Sequence, residues 1–300
     1  MVVAAIVLAF LLDFYFAEPR RYHPLVGFGV WANYIELRIN KQSSYKWFGV
    51  LAWCLVVVPL VLFFYCIDRL LATHQWLSFI FSALLLYLSI GWQSLLQHAR
   101  AVATPLRFGD INNARKAVAM IVSRDTAQLD KTEVAKAATE SVLENGADAV
   151  FCALFWFLLA GVPGVVLYRL SNTLDAMWGY KKPDLLHFGW CAARMDDVLN
   201  FIPAHLVVLT YALFGRGKRA LHCAWYQGRG WKSPNAGPVM AAGAGALQVS
   251  LGGTAIYFGE AQQRPNLGEG PDPKAGDLDR AVELVDKGVY LWALLILVLI

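Results

Sequence analysis

The sequence predicts an all-α integral membrane protein, on three observations. Of its 300 residues, 58% are apolar and 16% charged, where soluble domains carry roughly 25% charged residues. Several apolar runs approach or exceed the roughly 18 residues that mark a transmembrane helix. The basic residues, finally, crowd into some connectors and avoid others, as loops sorted by the positive-inside rule do.

Taken in order, Val2–Ala17 is a slightly short span carrying Asp13, with no basic segment before it. An acid inside the apolar run is foreign to a secretory leader, so the segment is expected to be a retained helix. Phe48–Ile67 meets the span criterion cleanly and Trp76–Trp92 nearly so, while Tyr290–Ile300 is too short to span unless the preceding turn, Lys287–Val289, contributes. These four are joined by two interrupted apolar segments, 151–170 and 199–214, broken by Gly161–Gly164 ("GVPG") and by Pro203. The first interruption is read either as a re-entrant hairpin, whose irregular backbone must be buried in protein, or as a Pro-kinked full span. Segments 93–147 and 215–287 are polar and basic, and are expected to be the main cytoplasmic regions of a single membrane domain spanning 1–300. The first of them is helical in composition and lacks Pro beyond Pro105.

The five cysteines form no C-x-x-C and no metal spacing. The net charge of +4 is an orientation signal and gives no ground for a nucleic-acid partner. No P-loop is present: "GRGK" (Gly215–Lys218) lacks the upstream glycine and the following Ser or Thr.

"TESVLENGADAV" places Glu140, Glu144 and Asp148 four residues apart at the mouth of an apolar run. Together with Glu133 they share one helical face within about 80°. Asn145-Gly146 is a turn signal, which would make Asp148 the cap of the next helix. Acids at a membrane mouth are costly unless they pair, face water or bind a cation. Other polar clusters follow the same logic: Asp13 with "EPRRYHP", in which Arg20 or Arg21 is the natural ion partner and His23 stands alone; "SRDT" (Ser123–Thr126); "SNTLDAMWGYKK", with Asn172 and Asp175 at i, i+3; "ARMDDVLN", with Arg194, Asp196, Asp197 and Asn200 around one turn; and "KSPNAG", which opens a run of small residues to Gly253.

In this order the blocks "HPLVGFG", "SRDT", "ESVLENGADAV", "NTLDAMWGYK", "FGWCAARMDDVLNFIPA" and "SPNAG" closely resemble the adenosylcobinamide-phosphate synthases of cobalamin biosynthesis, the CobD/CbiB family. Ala17-Glu18-Pro19 stands where many members have Gly-Asp-Pro. The resemblance implies a ligase of the bacterial inner membrane with a cytoplasmic active site. It would join the free propionate of adenosylcobyric acid, a corrinoid, to 1-aminopropan-2-ol or its O-phosphate at the expense of ATP. Other membrane enzymes of that pathway, and the lipid itself, are the partners it implies.

That chemistry needs Mg²⁺ on oxygen ligands and positive charge on phosphates. The expected metal ligands are Glu140, Glu144 and Asp148, with Asn172 and Asp175 as alternatives. Arg124, Lys181 and Arg194 are expected on phosphates, and Asp196 or Asp197 as the base that takes the ammonium proton. Asp13, His23, Asp125, Ser233 and Asn235 complete the expected substrate and ATP contacts. A secondary transporter, or a non-enzymatic signalling relative of these synthases linked to β-lactamase regulation, is the competing reading. No paired halves with matching broken helices support the first.

Overall fold

The structure is a computed structural model that describes every residue except Arg20, Arg21, 41–44, Lys181, Pro183 and Ile300. It is 75% helical with almost no strand. Twelve helices are described: α1 Val2–Phe16, α2 Pro24–Ile39, α3 Lys46–Leu71, α4 Gln75–Tyr87, α5 Trp92–Arg107, α6 Ile111–Val118, α7 Lys131–Gly146, α8 Ala153–Trp178, α9 Trp190–Phe214, α10 Gly217–Tyr226, α11 Ala236–Leu247 and α12 Ala275–Leu299. Four short strands, β1 Leu251–Gly252, β2 Ala255–Tyr257, β3 Glu260–Gln262 and β4 Asn266–Leu267, form two antiparallel ribbons, β1 with β4 and β2 with β3.

Four helical stretches among the described residues are long and apolar enough to cross a membrane: Lys46–Leu71, Gln75–Arg107, Lys131–Trp178 and Trp190–Phe214. Two are the clean spans of the sequence. The other two contain the interrupted segments: 199–214 stays helical through Pro203, whereas 151–170 is broken at Gly161. Val2–Phe16 is a shorter apolar helix, and the C-terminal run is the end of the amphipathic α12.

The helices sort into two compact units, Met1–Gly91 with Cys152–Asn200, and Trp92–Phe151 with Phe201–Ile300. In the first, α3 and α4 pack against α8, and α1 against α4. Contact between α3 and the segment before α9 depends on Gly49, where a Cβ would sit 1.9 Å from the Phe188 carbonyl oxygen. Much of the remaining surface of α3 is apolar and exposed (Leu51, Leu55, Leu62, Phe63), as a lipid-facing helix requires. Inside α8, Gly161 adopts φ 63°, ψ −147° and breaks the helix two residues before Pro163. That locates the interruption read from "GVPG", because only glycine tolerates such a conformation without strain.

Ala17, the C-cap of α1, sits at φ 52°, ψ −164°. This region of backbone space is almost confined to glycine, and other residues there store about 1–3 kcal/mol. The departure from Gly-Asp-Pro therefore falls on the one residue of the turn whose conformation penalises a side chain. The Tyr87 hydroxyl donates to the Ala17 carbonyl at 2.7 Å and helps to hold it.

In the second unit α11 is buried from Gly237 to Leu247. Its small residues are consumed by protein contacts: a Cβ on Gly243 would lie 2.6 Å from the Leu143 methyls, and one on Gly245 2.9 Å from the Arg219 carbonyl oxygen. Segment 215–287, polar in sequence, thus encloses a buried helix.

The turn expected at Asn145-Gly146 does not form. The helix runs through Gly146 into a π-helical stretch, Ala147–Cys152, and on into α8. Gly146 is there for close packing, since a Cβ would meet Val285 Cγ2 at 2.8 Å and the Tyr211 hydroxyl at 3.2 Å. Asp148 is accordingly not a helix cap; it lies in the π-helical stretch, a distortion frequent at functional sites. Glu133, counted on the acidic stripe, closes a capping box with Asp130 at the start of α7.

Candidate functional site

In each unit hydrogen-bonding side chains gather on one carboxylate, half-buried in the first and buried in the second. In the first unit it is Asp196, on the opening turns of α9. Asn172 Nδ2, from α8, donates to Asp196 Oδ1 at 3.1 Å. Asn200 Nδ2, one turn along α9, donates to Oδ2 at 2.9 Å. Both amides must present their NH₂ to the carboxylate, which only accepts, and this fixes which way each is turned. The Asn200 Oδ1 is then buried without a partner, on a residue 2% exposed. On the next turn-face, Arg194 pairs with Asp197 at 3.0 Å.

A second cluster of this unit gathers at the end of α1. Asp13 is fully buried. Glu18 pairs with Arg169 of α8 at 3.4 Å. His23 caps α2, its Nδ1 accepting from the Leu25 N–H at 3.2 Å, with Pro24 at the first helical position. Burial holds the His23 pKa below its ordinary value; Glu18 opposes this and Arg169 assists it. Asp175 lies near the end of α8, its carboxylate folded against Gly179, where a Cβ would come within 2.0 Å of Oδ1. Lys181 lies outside the described residues.

In the second unit the buried carboxylate is Glu140, in the middle of α7 and 2% exposed. Its Oε2 accepts from Arg124 and from Arg264 Nη1 at 3.0 Å. Its Oε1 accepts from Arg264 Nη2 at 3.2 Å and from the Gly252 N–H at 2.7 Å. Four donors on two oxygens take up the acceptor capacity of a carboxylate. Burial works against the Arg124 charge, but Glu140 outweighs it and holds that guanidinium above its ordinary pKa.

Glu140 is thereby an anchor for two arginines, with no lone pair left for a cation. This departs from the expected three-acid metal site, and any metal role of the stripe passes to Glu144 and Asp148. Among the described residues, the three ligand-type side chains whose atoms do gather within 4.8 Å are His222, Cys223 and Glu269. There Glu269 already faces Arg219 at 3.4 Å and His222 at 3.6 Å, and burial raises the Cys223 thiol pKa.

Arg124 reaches Glu140 while its neighbour Asp125 braces the β2–β3 ribbon. The Asp125 N–H donates to the Ile256 carbonyl at 2.9 Å, and its Oδ2 accepts from the Gly259 N–H at 2.7 Å. Phe258 and Gly259, both at positive φ, make the two-residue turn that such ribbons favour. The expected phosphate contact of Arg124 and ligand contact of Asp125 thus meet residues already committed to fold-bracing bonds. Ser233 Oγ accepts from the Asn235 and Ala236 N–H groups, both at 3.2 Å, and opens α11, with Asn235 buried beside it.

Arg264 carried no signal in the sequence: a single arginine between Gln263 and Pro265, remote along the chain from Glu140. Its Nε also donates to the Gly253 carbonyl at 3.0 Å, and its guanidinium lies 5.0 Å from the Trp231 ring centre. Asn200 was visible only as a neighbour of Asp196 and Asp197.

Four helical stretches long and apolar enough to cross a membrane, with a carboxylate in each unit held by polar side chains, define a multi-pass membrane protein that carries polarity at defined points. Comparison with known proteins narrows the class. The profile described as "CobD/Cbib protein" matches residues 6–285. "Cobalamin biosynthesis protein CobD" of Stutzerimonas stutzeri (strain A1501) is 55% identical over 99% of this chain and 97% of its own length. The protein of that name from Chromobacterium violaceum is 51% identical, over 96% and 93%. That of Mycobacterium tuberculosis (strain ATCC 25618 / H37Rv) is 39% identical, over 91% and 88%. The chain belongs to the CobD/CbiB family. No solved structure matches it.

Proposed function

We propose that the protein acts in cobalamin biosynthesis as an ATP-dependent ligase. It joins the free propionate of adenosylcobyric acid to 1-aminopropan-2-ol, or to its O-phosphate, and so makes adenosylcobinamide or its phosphate. The observation that carries this reading is Asp196, a half-buried carboxylate held by two neutral amides, Asn172 and Asn200.

A carboxylate resists attack by an amine until one oxygen becomes a leaving group. Phosphoryl transfer from ATP to the propionate oxygen gives an acyl phosphate and ADP; adenylyl transfer would give an acyl adenylate and diphosphate. The amine nitrogen then forms the C–N bond, the activated C–O bond breaks, and phosphate or AMP departs, the nitrogen's second proton leaving to the phosphate group or to water. Before that attack the substrate ammonium must lose one proton, and Asp196 is the group assigned to take it. Asn172 and Asn200 keep both oxygens of that base oriented.

Bound Mg²⁺ would neutralise the phosphates during transfer. Glu144 and Asp148 are the residues of the stripe that would hold it, directly or through water. Arg194, paired with Asp197 and half exposed, can move to a phosphate with little loss, because exposed pairs are worth ~1 kcal/mol or less.

The test uses detergent-purified protein with Mg-ATP, adenosylcobyric acid and each form of the amine, read by mass spectrometry for the amide and by nucleotide analysis. Amide with stoichiometric ADP supports the acyl phosphate, and with AMP the adenylate. Folded protein that makes no amide from either amine would refute the ligase and favour the transport or signalling reading.

A further inference from the structure

Native proteins pair more than about nine in ten of their buried polar groups, and an orphaned one carries a desolvation penalty. Asn200 Oδ1 is such an orphan. It cannot be repaired by flipping the amide, because the NH₂ would then leave the Asp196 carboxylate and the carbonyl would face it. Asn172, which binds the other oxygen of Asp196, leaves no such orphan among the buried side-chain atoms. The asymmetry marks one acceptor, next to one anionic group, on the same helix one turn apart. What suits it is a small cation that carries N–H donors.

We infer that Asn200 is a specificity-determining contact for the amine co-substrate: Asp196 attracts the ammonium, and the Asn200 side-chain carbonyl accepts one of its N–H bonds. This rests on the ligase reading above. It adds a direction to the encounter, since an N–H held by Asn200 turns a second one toward the carboxylate that is to receive a proton. A metal ion or a lone water are the other occupants such a carbonyl could have, and the three differ in what they change.

The experiment measures KM for the amine, KM for adenosylcobyric acid and the Mg²⁺ concentration giving half-maximal rate, for wild type, Asn200→Ala and Asn200→Ser. A hydrogen bond to a charged donor predicts that Asn200→Ala raises the amine KM by about tenfold or more. Asn200→Ser, which keeps a hydroxyl acceptor, should recover part of that loss, and the other two constants should stay within about twofold. In wild type, the N,N-dimethyl analogue of the amine, which has lost N–H donors, should inhibit about tenfold more weakly than the N-monomethyl one; this arm stands even if both variants misfold. A shift in the Mg²⁺ requirement with the amine KM unchanged would overturn the inference in favour of a metal. Equal changes in all three constants, or none, would overturn it in favour of a structural amide or a bound water. Wild type that makes no amide would refute the ligase itself, which is a different result from a ligase indifferent to Asn200.

Discussion

Glu140 and Asp196 are both carboxylates on helices, and their surroundings are opposite. Glu140 is met by two guanidinium groups and a peptide N–H, so its charge is neutralised and its lone pairs are spent. Asp196 is met by two neutral amides, with an unpaired carbonyl beside it. A buried charge fully paired with charge stabilises a fold against its own disruption. A half-buried carboxylate held by neutral amides keeps its capacity to attract a cation or a proton. On this difference rests our proposal that Glu140 is structural and Asp196 chemical.

The largest expected effect is on the structural side. Glu140→Gln leaves Arg124 and Arg264 buried with a neutral partner, which should cost about 3–5 kcal/mol of stability. Detergent-phase melting would show it as a large drop. Arg264→Met should behave similarly, though nothing in the sequence singled it out. Next comes Gly146→Ala, which should cost about 1–3 kcal/mol. The added Cβ meets Val285 and Tyr211, so a melt unchanged by the substitution would restore the turn that the sequence suggested there.

Smaller effects concern the first unit. Ala17→Gly relieves a backbone conformation that glycine accepts freely, and should raise stability by about 1 kcal/mol. The smallest is a pH effect. Because the His23 pKa is lowered in the fold, the unfolded chain binds the proton more readily. Its contribution is therefore complete above the unfolded value of 6.5 and is lost as pH falls below it. His23→Asn keeps a helix cap and removes the titration, so melting curves of variant and wild type should diverge below that pH and run parallel above it.

The membrane character, the approximate spans and the blocks that carry the family resemblance were legible in the chain. They rest on local properties, run length and residue type. What escaped depended on distant partners. Gly146 reads as a turn after Asn145 until Val285 and Tyr211 are packed on it, and α11 reads only as a run of small residues until Leu143 and Arg219 are packed against its glycines. Glu140 reads as a metal ligand because its own helix offers two more acids at the right spacing. Only the return of Arg264 and Gly252, more than 100 positions further on, shows that its oxygens are taken. The contact between Asn200 and Asp196 was legible because the two lie one turn apart on the same helix.

The most direct test measures Asp196→Asn and Glu140→Gln side by side, each for its melting midpoint and for amide formation per folded molecule. If the contrast holds, Asp196→Asn melts near wild type and loses about 10²–10⁴-fold in rate, while Glu140→Gln melts far lower and retains most of its rate per folded molecule. Asp196→Asn with near wild-type turnover, or Glu140→Gln that is fully stable and inactive, would contradict the assignment of chemistry to the first carboxylate and structure to the second.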